Sequence, residues 1–106
     1  MAAFQSIYNK QTEVIILRLD GAFAEKDWGD LVAFYRQKSE GGFKKWLLDF
    51  SAVPSISCNS IGVLVALNTS VMANVGAMEV VLAKNSQAAN QIRFAKIDQI
   101  LNCRVA

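Results

Sequence analysis

The order of apolar runs predicts an α/β domain: a mixed sheet of four to five strands with helices packed mainly on one face. Three observations carry that expectation. Short apolar runs rich in β-branched and aromatic residues recur at 13–19, 46–50 and 78–83, the length and composition of strands. Between them lie stretches whose apolar residues recur at helical spacing. A short strand followed by a polar turn opens the chain, as in a hairpin. Strands that alternate with helices form parallel pairs, and the right-handed crossover rule puts successive helices on one side.

Taken in order, residues 4–8 form a first strand and Asn9-Lys10-Gln11 the turn. In the second strand Ile15, Leu17 and Leu19 share one face and Val14, Ile16 and Arg18 the other, and Asp20-Gly21 ends it. Residues 24–39 read as a helix with Trp28, Leu31, Val32 and Tyr35 on one stripe. Glu25 and Asp27 at its start and Arg36 and Lys38 at its end complement the helix dipole. Gly41-Gly42 stops it. Trp46-Leu47-Leu48-Asp49-Phe50 is a strand buried on both faces, and Pro54 and its neighbouring serines mark a loop. Ser57, Asn59 or Ser60 then caps a second helix whose inward residues are Ile61, Leu64, Val65, Val71, Met72 and Val75. Gly76 breaks it. After the strand at 78–83, Asn85 and Ser86 can cap a third helix at 87–96, with Ile92 and Ala95 inward. A last strand at 100–105 turns Leu101, Cys103 and Val105 to one side. The order is ββαβαβαβ.

The bulk numbers narrow the function classes. A chain of 106 residues suits one domain, 1–106, with a real core. Eleven basic and nine acidic residues leave a net charge of +2, no electrostatic case for nucleic acid. Without histidine there is no His-based triad and no His metal ligand. The two cysteines lie outside zinc or redox spacing, so no metal and no cofactor is expected, and two reduced thiols suit the cytoplasm. The first residues have neither the basic nor the apolar region of a secretory signal. No run reaches the ~18 apolar residues of a membrane span.

The junction at 46–62 also carries a resemblance. An apolar strand ending in an acid, then Ser57-Cys58-Asn59-Ser60-Ile61-Gly62 at a helix start, resembles the STAS domain of bacterial anti-sigma factor antagonists. Members of that family read Asp-Ser-Ser-Gly-Leu-Gly at this place. Asp49 matches the strand acid, Ile61-Gly62 matches the end of the motif, and Leu-Asp-Gly-Ala-Phe at 19–23 resembles the segment that closes the second strand. The phosphoacceptor position falls on Cys58, the preceding acid on Ser57, and a second acidic place on Ala24. The family usually adds a helix after the last strand, where this sequence ends at Ala106.

The resemblance implies a protein-binding module of bacterial signalling that regulates transcription and is not an enzyme. Its partner is a kinase-like anti-sigma factor or a similar protein, bound through Ser57, Cys58, Asn59, Ser60, Val63 and Leu67. A serine kinase has no hydroxyl to use at Cys58, so the usual switch is absent. Ser57 and Ser60 are the alternative phosphosites. A second signal supports a partner: no charged residue occurs between Asp49 and Glu79. Val63, Ala66, Leu67, Ser70 and Asn74 are expected on the outward face of the second helix, where charges usually lie. A helix hidden between neighbours is the plainer explanation; an uncharged contact surface, for a partner or for a second copy in a homodimer or scaffold, is the favoured one. The competing classes are a cysteine enzyme using Cys58, with Lys44, Lys45 or Lys84 brought near, and a small-ligand site on the same loop. The first lacks a base, and the second lacks a Gly-rich cradle or basic cluster. The expected core is Ile15, Leu17, Leu19, Trp46, Leu48, Leu64, Val65, Val80 and Leu82.

Overall fold

The computed structural model describes residues 3–84, 86–94 and 102–105. Strands β1 (Phe4–Asn9) and β2 (Val14–Leu19) form an antiparallel hairpin. A 3-10 turn (Glu25–Asp27) leads into α1 (Trp28–Glu40), followed by β3 (Lys45–Phe50), α2 (Cys58–Ala73), β4 (Ala77–Leu82), α3 (Gln87–Phe94) and β5 (Asn102–Val105). The five strands lie side by side in chain order, and every pair after the hairpin is parallel. Each helix therefore crosses in the same direction along the sheet, and right-handed crossovers put all three on one face. The predicted architecture is the observed one, with five strands.

Register and burial separate the two faces. Ile15, Leu17, Leu19, Trp46, Leu48, Phe50, Met78, Val80 and Leu82 alternate along β2, β3 and β4 and are buried against the helices. Leu64, Leu67 and Val71 of α2 and Trp28, Leu31 and Tyr35 of α1 close over them. Of the expected core, only Val65 falls short, being half-buried. The opposite face carries Ile16, Leu47 and the ion pairs Arg18–Asp49, at 3.8 Å, and Glu79–Arg104, at 2.9 Å. With their basic partners more than half exposed, these pairs add little stability.

Several boundaries differ from the sequence expectation, each for a local reason. The hairpin turn extends to Glu13, which is left-handed (φ 60°) and donates its N–H to Asn9 O. The Asn9 side chain also accepts from the N–H groups of Gln11 and Thr12. The first helix starts as a 3-10 turn because Asp27 reaches back to accept from the Ala24 N–H at 2.8 Å. Gly41-Gly42 does end α1, with Gly42 at φ 96°. In α2 the left-handed stop is Val75, not Gly76. Val75 has φ 57°, its N–H bonds to Met72 O, and the Gly76 N–H bonds to Val71 O at 2.8 Å. That pair of bonds is a Schellman cap. Gly76 has a different duty: a Cβ there would overlap the Lys44 carbonyl. Met72 and Val75, expected inward, are 61% and 85% exposed. Ser86 caps α3 by accepting from the Ala89 N–H, and Ile92 points inward as expected. The expectations for Asn85, Ala95, Lys96, Ile100 and Leu101 lie outside the described residues. Cys103 is half-buried and packs against the core.

Candidate functional site

The site stands at the C-terminal ends of the parallel strands, where three loops meet. Gly21, after β2, comes so close to the β3–α2 loop that a Cβ would lie 3.0 Å from Ala52 O. A side chain there would press on that carbonyl, so the close approach, not the dihedral angles, favours glycine. From the other side α3 clamps the same loop. Gln91 Oε1 accepts from the Ile56 N–H at 2.8 Å, and the Ala88 N–H donates to Pro54 O at 3.1 Å. Val53 and Ile56 bury their side chains below the loop. The loop is therefore fixed on both flanks, and it delivers the chain to the start of α2 in a set direction. Ends of parallel strands at such turns are where α/β folds hold their functional groups.

Ser57 is the residue that caps α2. Its backbone is extended, its Oγ accepts from the Ser60 N–H at 3.1 Å, and its carbonyl accepts from the Ile61 N–H at 3.0 Å. The Ser57 hydroxyl also donates to Ser60 Oγ, at 3.1 Å. Cys58 follows as the first helical residue and is exposed, as are Asn59 and Gly62. Val63 is half-buried and Ala66 exposed. Together these residues form an outward surface without a charge.

Two of the expected surface residues belong elsewhere. Ser60 is only 8% exposed, and its Oγ accepts a 2.7 Å bond from the Trp28 indole N–H in addition to the one from Ser57. It faces α1 and ties the two helices together, so it is corrected from a partner-binding residue and alternative phosphosite to a buried structural serine. Leu67 is 6% exposed and lies in the core cluster, so it too is corrected, from the centre of a contact surface to the packing beneath it. The buried positions of α2 are Ser60, Leu64, Leu67 and Val71, spaced by four, three and four residues along one stripe. The outward side is centred on Gly62, Val63, Ala66 and Ser70.

The buried Trp28–Ser60 bond escaped the sequence reading. The signal available was a tryptophan on the inward stripe of α1, whose N–H needs an acceptor when buried. The basic residues considered beside Cys58 are largely excluded by topology. Lys44 and Lys45 precede or open β3, at the far end of a strand that spans roughly 20 Å at 3.3 Å per residue. Only Lys84, after β4, is at the same end of the sheet. Among the described residues no group of three His, Cys, Asp or Glu side chains could hold a metal ion. Nor is any described helix long and apolar enough to cross a membrane.

The hairpin, the three same-side crossovers and a capped helix start at the strand ends define a STAS-like domain. Among solved structures, the chain is similar to the crystal structure of TM1081, a candidate anti-sigma factor antagonist from Thermotoga maritima. The TM-score is 0.83 at 20% sequence identity, over 97% of this chain and 86% of that one. The NMR structure of TM1081 matches with a TM-score of 0.80 at 20% identity, over 100% of this chain and 82% of that one. No family model and no curated protein matches the sequence. At one identical residue in five, the likeness speaks for the fold.

Proposed function

We propose that this chain is a regulatory protein-binding module that works as anti-sigma factor antagonists do. It receives a kinase-like anti-sigma factor, or a protein of similar build, on the start of α2. The observation that carries this reading is the uncharged outward surface of exposed Cys58, Asn59, Gly62 and Ala66 and half-buried Val63, held in place by the Ser57 cap and the α3 clamp. A face without charges costs little to desolvate, and it suits the dry centre of a protein contact. The fold shared with TM1081 supports the same class of role. The module is not an enzyme in this reading, and the exposed thiol of Cys58 fits a reducing, cytoplasmic setting.

The contact would not be switched in the usual way. Cys58 has no hydroxyl, and Ser60 is turned into the core beneath the Trp28 indole. Binding is then set by the concentrations of the two proteins. The deciding experiment titrates the purified chain, by calorimetry, against the purified serine-kinase-type anti-sigma factors of its own cell. Ala66→Glu places a charge in the centre of the surface without touching the core. It should weaken binding at least ~10-fold while leaving the thermal melt unchanged. Binding that survives Ala66→Glu would place the contact elsewhere.

A further inference from the structure

Among the described residues strand β1 is an outer strand of the sheet, paired on one side only. The Asp20 N–H donates to Ala3 O at 2.7 Å, and these two residues are opposed in the register that pairs Phe4 with Leu19. Hydrogen-bonded and non-hydrogen-bonded pairs alternate along an antiparallel ladder. Gln5, Ile7 and Asn9 therefore turn their backbone groups toward β2, while those of Phe4, Ser6 and Tyr8 point away from the sheet. Among the described residues no strand lies beyond them. Edges are usually blunted by a charge, a proline or a bulge. The sequence of β1, Phe-Gln-Ser-Ile-Tyr-Asn, has neither charge nor proline, and all six of its residues pair with β2 without a bulge.

The side chains give this edge a shape. Phe4, Ser6 and Tyr8 share the helix-covered side. Phe4 rests edge-on against Phe34, with centroids 5.9 Å apart, and Tyr8 against Phe43, at 5.2 Å. Ser6 is the small residue between them, and it leaves a notch of about 220 Å³ walled by Phe34, Phe43 and Lys38. The Lys38 ammonium sits 5.7 Å and 5.9 Å from the two phenyl centroids. Tyr8, on the helix-covered side, is 44% exposed, and Ile7, on the other side of the strand, is 40% exposed.

We propose that β1 pairs antiparallel with β1 of a second copy about a two-fold axis through Ile7, joining two five-stranded sheets into one. This register sets Ser6 of each copy opposite Tyr8 of the other. Each Tyr8 ring then lies over the other copy's notch, where aromatic walls and the Lys38 cation suit it. The two Ile7 side chains meet on the axis. Charge selects the same arrangement. The hairpin end of the molecule holds Lys10, Lys38, Lys44 and Lys45 against Glu13 and Glu40, and the opposite end holds Asp20, Asp49, Glu25, Asp27 and Asp30 against Arg18, Lys26 and Lys84, so one end is net basic and the other net acidic. A two-fold axis reverses the second copy, so the basic end of each meets the acidic end of the other. A parallel arrangement would set like against like. One six-residue edge with its flanking rings makes a small interface, of the size class of about 1,000 Å² or less in which weak, transient contacts fall. It leaves the surface of α2 uncovered and does not depend on what binds there.

Sedimentation of the full chain from about 10 µM to 1 mM tests the proposal. A monomer–dimer equilibrium is expected, weakened by added salt. Ile7→Lys sets two ammonium groups against each other on the axis and should weaken it at least ~10-fold, with an unchanged melt because position 7 is exposed. Ile7→Cys gives a second readout. Opposed residues of a non-hydrogen-bonded pair have Cα atoms ~4.5 Å apart, within disulfide range, so mild oxidation should join the two engineered thiols, as mapped by mass spectrometry. A chain that stays monomeric to ~1 mM, or a dimer indifferent to Ile7→Lys, overturns the proposal. So does a dimer broken by Ala66→Glu alone, or oxidation that links only Cys58 or Cys103.

Discussion

A thiol stands on the first residue of α2, and two serines flank it with opposite fates. Ser57 keeps its hydroxyl at the surface and uses it to close the helix start. Ser60, one turn on, accepts from the Trp28 indole across 2.7 Å in the interior. Removing that acceptor leaves a buried indole N–H unpaired, which costs about 1–3 kcal/mol. Ser60→Ala should accordingly lower stability by that amount in urea melts, and Ser60→Thr should lose less if its hydroxyl takes up the same bond. A serine that faces the core is also out of reach of a kinase. Incubation with the native kinase followed by mass spectrometry should therefore find no phosphate at Ser60 and none at position 58. Stoichiometric phosphate on Ser57 would restore a switch and overturn the constitutive reading, since about −1.5 to −2 charges at the contact would alter binding.

Helix α2 is apolar on nearly every side and ends in strain. Its cap residue Val75 is β-branched, left-handed at φ 57° and 85% exposed, so no burial offsets the conformational cost. Glycine is the residue this place in a Schellman cap favours. Val75→Gly should therefore raise stability by about 1 kcal/mol, net of glycine's greater freedom in the unfolded chain, read as an upward shift of the thermal midpoint. The Gly76 N–H bond to Val71 O would be retained. A fall in stability would show that Val75 contributes packing that its exposure conceals.

The molecule as a whole is one layer of helices on one sheet, and its core lies between them. Leu48 in the central strand is 2% exposed and Leu64 in the central helix is fully buried. They come from opposite layers, so a cavity at either place weakens the same interface. Leu48→Ala and Leu64→Ala should each cost about 2–5 kcal/mol in urea unfolding. Losses below ~1 kcal/mol at both would mean that sheet and helices do not share one core. The same topology puts the strand ends, the capped start of α2 and the α3 clamp at one end of the sheet, and leaves β1 as an uncharged edge along its side.

Periodicity and turn residues determined the order of elements and the buried side of β2. They left the α2 cap open among Ser57, Asn59 and Ser60 and expected β3 buried on both faces, where the structure buries one and leaves Leu47 and Asp49 half-buried on the other. What they determined depends on spacings of two and of about 3.6 residues, which the chain carries locally. They did not determine how α2 is rotated. Ile61, Val63, Leu64, Val65, Leu67, Val71 and Met72 point in many directions around that helix, so several rotations bury a similar apolar surface. Contacts distant in sequence chose among them. The Trp28 indole needed the Ser60 hydroxyl, and Leu64, Leu67 and Val71 met the sheet, which sent Met72 and Val75 outward. That rotation moved Leu67 and Ser60 out of the contact surface and left Gly62, Val63 and Ala66 in it. Where a helix has a polar side, sequence sets its orientation; where it has none, only the packing partners can.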